Sequence, residues 1–391
     1  MATRSSAAAN HPSVLLPITT AALVVTGLVM ILSASSVVAY ASYGSSFLFF
    51  QRQFLWAAIG IVGFVFFARL DYRKLRGVGY LAFGGVIVML IVVLVPGIGV
   101  TVGGSSRWIG IGSFVIQPSE IAKLALVLFA ADVFSRKDEK SLRELSHTAL
   151  PMLPALAILA LLVMLQPDLG TTILLGTIGF GMLFVAGAPL RYLGPIGVVG
   201  IVAALGAGMA SPYRRVRLLA FMDPWQDPLG TGYHTIQSLI ALGSGGWFGV
   251  GLGASRQKWM YVPNAHTDFI YAILGEEMGL LGTFAVLGMF AFLIYLGVRI
   301  ARGAPDRFGM LIASGITMWI GMQALVNMGA VTASLPITGV PLPLVSFGGS
   351  SLVISLAAMG LMTNIAQAGK MKRLRSSIAP HQKAGSKTTT R

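Results

Sequence analysis

Ten nearly uninterrupted apolar runs decide what this chain can fold into. They lie near residues 14–33, 53–68, 78–96, 119–134, 148–165, 171–187, 192–210, 269–298, 308–332 and 345–367. Each approaches the roughly 20 residues that a membrane-spanning helix requires. The runs are continuous and lack the period-two alternation of barrel strands, so their backbone polar groups must be satisfied within helices. Only 10% of the residues are charged and 55% are hydrophobic, against roughly a quarter charged in a soluble domain. The expected fold is an all-α polytopic membrane protein with about ten transmembrane helices. The first run ends in SASSVVAYA, which resembles a signal-peptidase site. At about 20 residues it exceeds the h-region of a signal peptide, so it is read as a retained span.

The basic residues orient the chain. With the N-terminus inside, 20 of the 28 Lys and Arg fall in cytoplasmic segments, including four at 69–76, four at 136–143 and seven at 370–391. That bias puts both termini in the cytoplasm. It also explains the net charge of +15 without nucleic acid, because the charges are dispersed through short loops. Residues 1–12 and 370–391 read as disordered cytoplasmic ends, the latter basic and suited to a lipid surface. Between them, 13–369 form the transmembrane domain. One outer loop, 211–267, joins helices 7 and 8 and is far longer than its neighbours, which marks it as functional. Within it, HTIQSLIAL reads as a short amphipathic stretch on the membrane surface. There is no cysteine, so disulfides and thiolate metal sites are excluded. The five histidines lack metal-ligand spacing, and no metal site is expected.

Thirteen acids are few enough to sort. Asp71, Asp138, Glu139, Glu144 and Asp306 fall among basic loop residues and read as solvated charges. Glu120 and Lys123 are spaced to face each other on one helix, as a structural ion pair or as a cavity wall for an anionic head group. Asp168 precedes a helix beginning near Thr171, where a cap is as good a reading as a function. Asp223 and Asp227 flank Trp225 between prolines and read as turn residues. The stretch RQKWMYVPNAHTDFIYAILGEE, residues 256–277, is the densest in charge. There Asp268 stands at the mouth of an apolar helix, where low polarity raises a carboxyl pKa towards that of a base. A first-turn acid offsetting the helix dipole is the rival reading, although Thr267 offers a capping hydroxyl of its own. Arg107, Arg214, Arg215, Arg217, Arg256 and Lys258 are candidate phosphate contacts. His266 is either an orienter of Asp268 or a packing residue. On a continuous helix Glu276 lies roughly 12 Å further along and about 80° round, with Glu277 on the far face, so neither makes a close dyad with Asp268.

Four segments together resemble the SEDS family (shape, elongation, division and sporulation): QPSEIAKLAL, QPDLGTT, GSGGWFGVGLGASRQKWMYVPNAHTDFIYAILGEEMG and NMGAVTASLPITGVPLPLVSFGGSS. The resemblance covers about residues 12–370, and GLGASRQK with AHTDFI is more similar to its division branch than to its elongation branch. It implies a ten-helix glycosyltransferase that polymerises lipid II into peptidoglycan strands on the outer face of the bacterial cytoplasmic membrane, at the division septum. The family's essential loop aspartate falls on Asp268. Gln117 and Ser346, in two of the matched segments, join the candidate substrate contacts. The implied partners are lipid II, the undecaprenyl-diphosphate-linked glycan, a class B penicillin-binding transpeptidase and other division proteins. No cofactor is implied beyond a divalent cation that the diphosphate would accept. The chain departs from the family at Asn264, where Glu is usual, at Ala333-Ser334, where Gly-Leu is usual, and at Phe347, where Tyr is usual.

The resemblance also fixes the stereochemistry. An α-linked donor and a β-1,4 product require inversion, for which one base suffices, whereas retaining chemistry needs a close carboxylate pair. Three rival readings remain: a lipid II flippase, with Glu120, Lys123, Glu276 and Glu277 along its path, a polymerase of the elongation branch, and a scaffold whose loop only binds a partner.

Overall fold

The computed structural model describes residues 11–385 apart from 103–104, 112–113 and 139. Twelve α-helices carry nearly all of it: α1 (Pro12–Tyr43), α2 (Leu48–Arg69), α3 (Val78–Leu94), α4 (Pro118–Ser135), α5 (Leu145–Met164), α6 (Leu169–Ala186), α7 (Leu190–Met209), α8 (Pro212–Ala220), α9 (Tyr233–Ser244), α10 (Ile270–Gly303), α11 (Arg307–Val331) and α12 (Gly349–Gly385). Eight of these, α1, α2, α5, α6, α7, α10, α11 and α12, are long and apolar enough to cross a membrane among the described residues. The two other apolar runs are α3, at 17 residues, and α4, which carries Glu120, Lys123 and Asp132. The chain is an all-α polytopic membrane protein.

Burial explains where those charges can sit. Along α4 nearly every residue is buried, so it is an interior helix whose charges meet protein and not lipid. In α7 only Leu193 and Gly208 are buried, which leaves a lipid-facing surface of Val198, Val199, Ile201 and Val202. Asp132 receives both Arg136 Nε and Nη2 at 2.9 Å and the Gly77 amide at 2.9 Å. Asp306, read from the sequence as a solvated charge, caps α11 through Gly309 and binds Tyr72 Oη at 2.6 Å and Arg73 Nε at 3.1 Å. Burial alone would raise its pKa, but the Tyr72, Gly309 and Arg73 hydrogen bonds outweigh it and hold the carboxyl low. Glu139 lies outside the described residues, as do 1–10 and 386–391 of the expected disordered ends. Residues 370–385, expected to be disordered, continue α12.

Among the described residues the β structure is one small antiparallel sheet. β1 (Gly99–Val102), β2 (Ser105–Ile111) and β3 (Phe114–Ile116) pair in that order, with Val100 opposite Trp108 and Ile109 opposite Ile116. The signal was present in VTVGGSSRWIGIGSFVI, where β-branched residues flank a Gly-Gly pair, but the neighbouring apolar runs masked it.

Two non-helical segments enter the bundle. Residues 332–348 turn back after α11, burying Val340, Leu342, Leu344 and Val345; a Cβ added at Gly27, midway along α1, would lie 2.6 Å from the Val345 carbonyl. Backbone without a helix is tolerated in such a place only when protein groups satisfy it. Three buried amides do so: Gln323 Nε2 donates to Pro341 O at 2.9 Å, Asn327 Nδ2 to Val340 O at 2.9 Å, and Gln53 Nε2 to Ser346 O at 3.2 Å. The second segment mends a broken helix. Gly279 has φ 66°, ψ −166° inside α10, which separates the Leu280 and Leu281 amides from the Glu276 and Glu277 carbonyls they would otherwise meet. Residues 246–251 fill the gap: Val250 and Gly251 amides donate to Glu276 O (2.9 Å) and Glu277 O (3.1 Å), while Leu280 and Leu281 amides donate to Gly246 O (2.9 Å) and Trp247 O (3.2 Å).

Candidate active site

Asp268 belongs to neither helix nor cap. Phe269 is the N-cap of α10 and makes no side-chain cap bond. Thr267 Oγ1 turns to Asn264 O at 3.2 Å, so the capping role expected of Thr267 is not filled. The Asp268 segment is instead held by its backbone. Asn327 Nδ2 donates to Asp268 O at 2.8 Å, Ser346 Oγ to Thr267 O at 2.6 Å, and the Phe347 amide to His266 O at 2.9 Å. The Asp268 side chain is thereby left unspent and partly accessible. Its Oδ2 faces Gly339, at 3.7 Å from a Cβ built there. Gly339 has φ +72°, a conformation that glycine adopts at least cost.

The surroundings set the carboxyl's chemistry. Burial pushes the Asp268 pKa up from 3.8 to about 6; Arg217 opposes this, Asp168 adds to it and Arg107 opposes it. Dense protein on most sides strips water from the group even though its outer face is open. These charges come from distant parts of the chain. Arg107 stands on β2 and donates to Gln166 O (3.1 Å) and Pro167 O (2.5 Å), with Asp168 Oδ2 3.8 Å from its Nη1. Asp168 caps α6 through the Thr171 amide (3.1 Å) and hydroxyl (2.9 Å). Arg217 and Arg214 stand on α8; Arg214 Nη1 rests 3.8 Å from Met164 Sδ. Gly170 closes the site on the α6 side, its built Cβ lying 2.6 Å from Thr338 O. One carboxylate that can accept a proton, with guanidiniums beside it, is an arrangement suited to proton abstraction next to an anionic group.

Other sequence candidates take structural positions. Lys258 is buried, its Nζ bonded to Gly253 O (2.5 Å) and Ser33 Oγ (3.3 Å) and 3.6 Å from Glu277 Oε1, so these partners occupy the ammonium that the sequence offers to a diphosphate. Glu276 accepts from the Arg256 and Gln257 amides at 2.9 and 3.3 Å and from the Ser255 hydroxyl, so the two glutamates pin the loop to α10. Arg256 itself lines a shallow outer cleft with Gln257, Trp259 and Tyr261. His266 makes no bond to Asp268. Its ring lies 4.7 Å from Phe49 and 5.5 Å from Phe347, its Nδ1 has no partner, and burial drops its pKa to about 4. It is a neutral packing residue. Gln117 precedes α4 and is tied to Ser119 and Ser350, and Ser346 is consumed by Thr267 O and the Leu342 amide. Lys123 Nζ bonds Glu120 at 2.7 Å and Gln323 Oε1 at 2.8 Å and lies over the Trp319 ring. Since Gln323 also holds Pro341 O, that pair braces the segment carrying Gly339. α9, expected on the membrane surface, buries Thr235, Ile236, Ser238 and Ala241 and ties Ser238 Oγ to Val331 O at 2.7 Å. Sequence reading missed Asn327 and Thr338. Both carry a buried oxygen without a partner, Asn327 Oδ1 on α11 and Thr338 Oγ1 beside Gly339.

A multi-pass helical membrane protein with a charged site at one end of its bundle is thus defined. The sequence profile of the FtsW/RodA/SpoVE family, described as cell cycle proteins, matches residues 13–371. The chain belongs to that family. It is 43% identical over 359 residues to Stage V sporulation protein E of Bacillus subtilis (strain 168), covering 92% of this chain and 98% of that protein. It is 42% identical over 339 residues to a probable peptidoglycan glycosyltransferase FtsW of Geobacter metallireducens, covering 87% and 90%. Among solved structures it resembles a chain of a peptidoglycan synthase complex that coordinates polymerization and crosslinking, with a TM-score of 0.74, 30% identity and coverage of 90% and 97%. It also resembles the rod shape determining protein RodA of Thermus thermophilus, with a TM-score of 0.66, 29% identity and coverage of 90% and 95%.

Proposed function

We propose that this chain is a peptidoglycan glycosyltransferase that joins lipid II units into β-1,4-linked glycan strands, with Asp268 as general base. One observation carries the reading. The Asp268 carboxyl is left unbonded by its own segment, open to one side, and raised to about 6, where a base is both available near neutral pH and strong enough to act. It takes the proton from the acceptor sugar's 4-hydroxyl. The freed oxygen attacks the anomeric carbon of the donor, the bond from that carbon to the diphosphate oxygen breaks, and undecaprenyl diphosphate leaves with its electron pair. Arg107 and Arg217, the cations that act on Asp268, offset the charge that develops on the leaving group. A divalent cation arriving with the diphosphate would help to offset the same charge.

A single base fits inversion. The other acid near Asp268 is Asp168, spent on the α6 cap and on Arg107, so no second carboxylate stands ready to be a nucleophile. The transport reading loses its path at Glu120 and Lys123, which are closed upon Gln323 and Trp319.

In this reading the α10 start faces outward, both termini are cytoplasmic and ten helices span, with α3 and α4 added to the eight. The protein acts at the septum beside a class B penicillin-binding transpeptidase, as the similarity to FtsW and to a synthase complex suggests. Purified protein given lipid II, with and without the transpeptidase, tests the reading. Glycan strands are expected from the parent and not from Asp268→Asn; undiminished strands from that variant would sink the assignment of the base.

A further inference from the structure

The end of α10 opposite Asp268, about 50 Å away along a 34-residue helix, holds a cavity of about 190 Å³. Its walls come from α1, α10 and α12 and carry His11, Arg299, Arg302, Lys370 and Arg373, with no acidic side chain among the lining residues. The site is built by backbone contact: a Cβ at Gly369 would lie 2.4 Å from Gly303 O, and one at Gly303 would lie 3.0 Å from Arg373 Nη2. The end of α10 and the middle of α12 therefore meet without side chains between them, and this brings Arg299 and Arg302 towards Lys370 and Arg373. His11 reports the resulting field. Burial first, then Lys370, Arg373 and Arg299, press its imidazole below the ordinary value.

Converging like charges of this kind repel unless an anion joins them. Residues 1–10 and 386–391 contain no Asp or Glu to join them. The nearest acid in sequence, Asp306, is already taken by Tyr72, Arg73 and the α11 cap. The flank below the cavity is apolar and open. Arg299 lies 5.7 Å over the Tyr295 ring, one turn deeper, and Tyr295 and Val298 are exposed. A phosphate between cations with open hydrocarbon surface beneath it matches a phospholipid standing in the bilayer.

The geometry points to a specific site for the phosphate headgroup of an anionic phospholipid, held by Arg299, Arg302 and Lys370 at the end of the bundle remote from Asp268. It is independent of the catalytic reading. The test titrates detergent-purified full chain with phosphatidylglycerol and counts bound lipid by native mass spectrometry, with phosphatidylcholine, inorganic phosphate and a glutamate decapeptide as separate probes. One phosphatidylglycerol per chain is expected, bound at least tenfold more tightly than phosphatidylcholine. Arg299→Glu with Lys370→Glu should weaken it at least tenfold, Lys370→Arg should keep it within about threefold, and Asp268→Asn should leave it unchanged. If the charge-reversed pair does not fold, Arg299→Gln with Lys370→Gln gives the same reading through loss of charge alone. Equal retention of phosphatidylcholine, or unchanged binding in a folded charge variant, would overturn the site. So would binding of inorganic phosphate without the lipid, which marks a soluble anion site, or of the acidic peptide without the lipid, which marks a protein partner.

Discussion

Asn327, one turn from the end of α11, donates to the backbone oxygen of Asp268 at 2.8 Å and to that of Val340 at 2.9 Å. One amide group thus sets the distance between the acid and the segment bearing Gly339. Asn327→Ala removes both bonds and leaves the buried Val340 carbonyl unsatisfied, at about 1–3 kcal/mol, and the partly buried Asp268 carbonyl at less. Polymerisation is expected to fall about tenfold or more, with the reduced melting temperature of a loosened site. A fully active, equally stable variant would show that the link positions nothing.

The raised carboxyl makes a paired prediction about rate and stability. A base with a pKa of about 6 is protonated and idle below that value, so turnover should climb through pH 6 and level off above about 7. Asp268→Asn should remove about 10²–10⁴-fold of the rate and abolish that limb. The stability effect has the opposite sign. The folded pKa lies above the unfolded 3.8, so the unfolded chain releases its proton first and the fold loses stability as pH rises between 3.8 and about 6. Above that window the cost is about 3 kcal/mol. The asparagine variant is expected to melt higher than the parent at pH 7.5 and to match it near pH 4. A lower melting temperature at pH 7.5 would contradict the proposed strain.

Gly279→Ala tests the mended helix. The position has φ +66°, and a Cβ there would sit 2.4 Å from the Gly249 amide nitrogen. A loss of more than about 2 kcal/mol is expected from strain and displacement together. Gly288→Ala in the same helix meets nothing within 4 Å and should be neutral or slightly stabilising.

The Glu120–Lys123 pair separates bracing from transport. Lys123→Met leaves Glu120 buried beside Gln323 and should destabilise by about 3–5 kcal/mol, whereas Glu120→Leu with Lys123→Met should recover much of that. Recovery of stability together with polymerisation supports a brace. Loss of lipid II scrambling in a stable double variant would revive the flippase.

Ala333 occupies the left-handed region at φ 53°, which costs a side-chain-bearing residue roughly 1–2 kcal/mol relative to glycine. Ala333→Gly should therefore raise the melting temperature without changing the polymerisation rate. Asn264 has a similar φ of 54° but is a residue type that tolerates it.

Most of the helical architecture was legible because apolar run length alone dictates spans. Asp268 stood out because so few acids compete with it. The segments whose form depends on distant partners were illegible. Nothing local in PITGVPLPLVS says that Gln53, Gln323 and Asn327 will hold it inside the bundle. Lys258 looked like a free outer cation because the sequence does not reveal that Glu277 waits beneath it. Glu276 and Glu277 read as deep helix acids on a continuous helix, but the break at Gly279 lets the loop descend to meet them. α9 displayed an amphipathic face that suits either a membrane or a protein, and only Val331 O decided for protein.

The glycine-rich stretch 246–251 looks like a spacer, outward-facing and unstructured, where an epitope tag or a fluorescent domain could be inserted without harm. Its four backbone bonds complete a membrane helix, so it is read residue by residue like the helix itself. Lengthening it by one residue would shift Val250 off Glu276 and reopen the break inside the bilayer. The permissive site for such cargo lies instead in the Asp223–Gly232 turn, where the Asp223 and Asp227 side chains bond only their own neighbours.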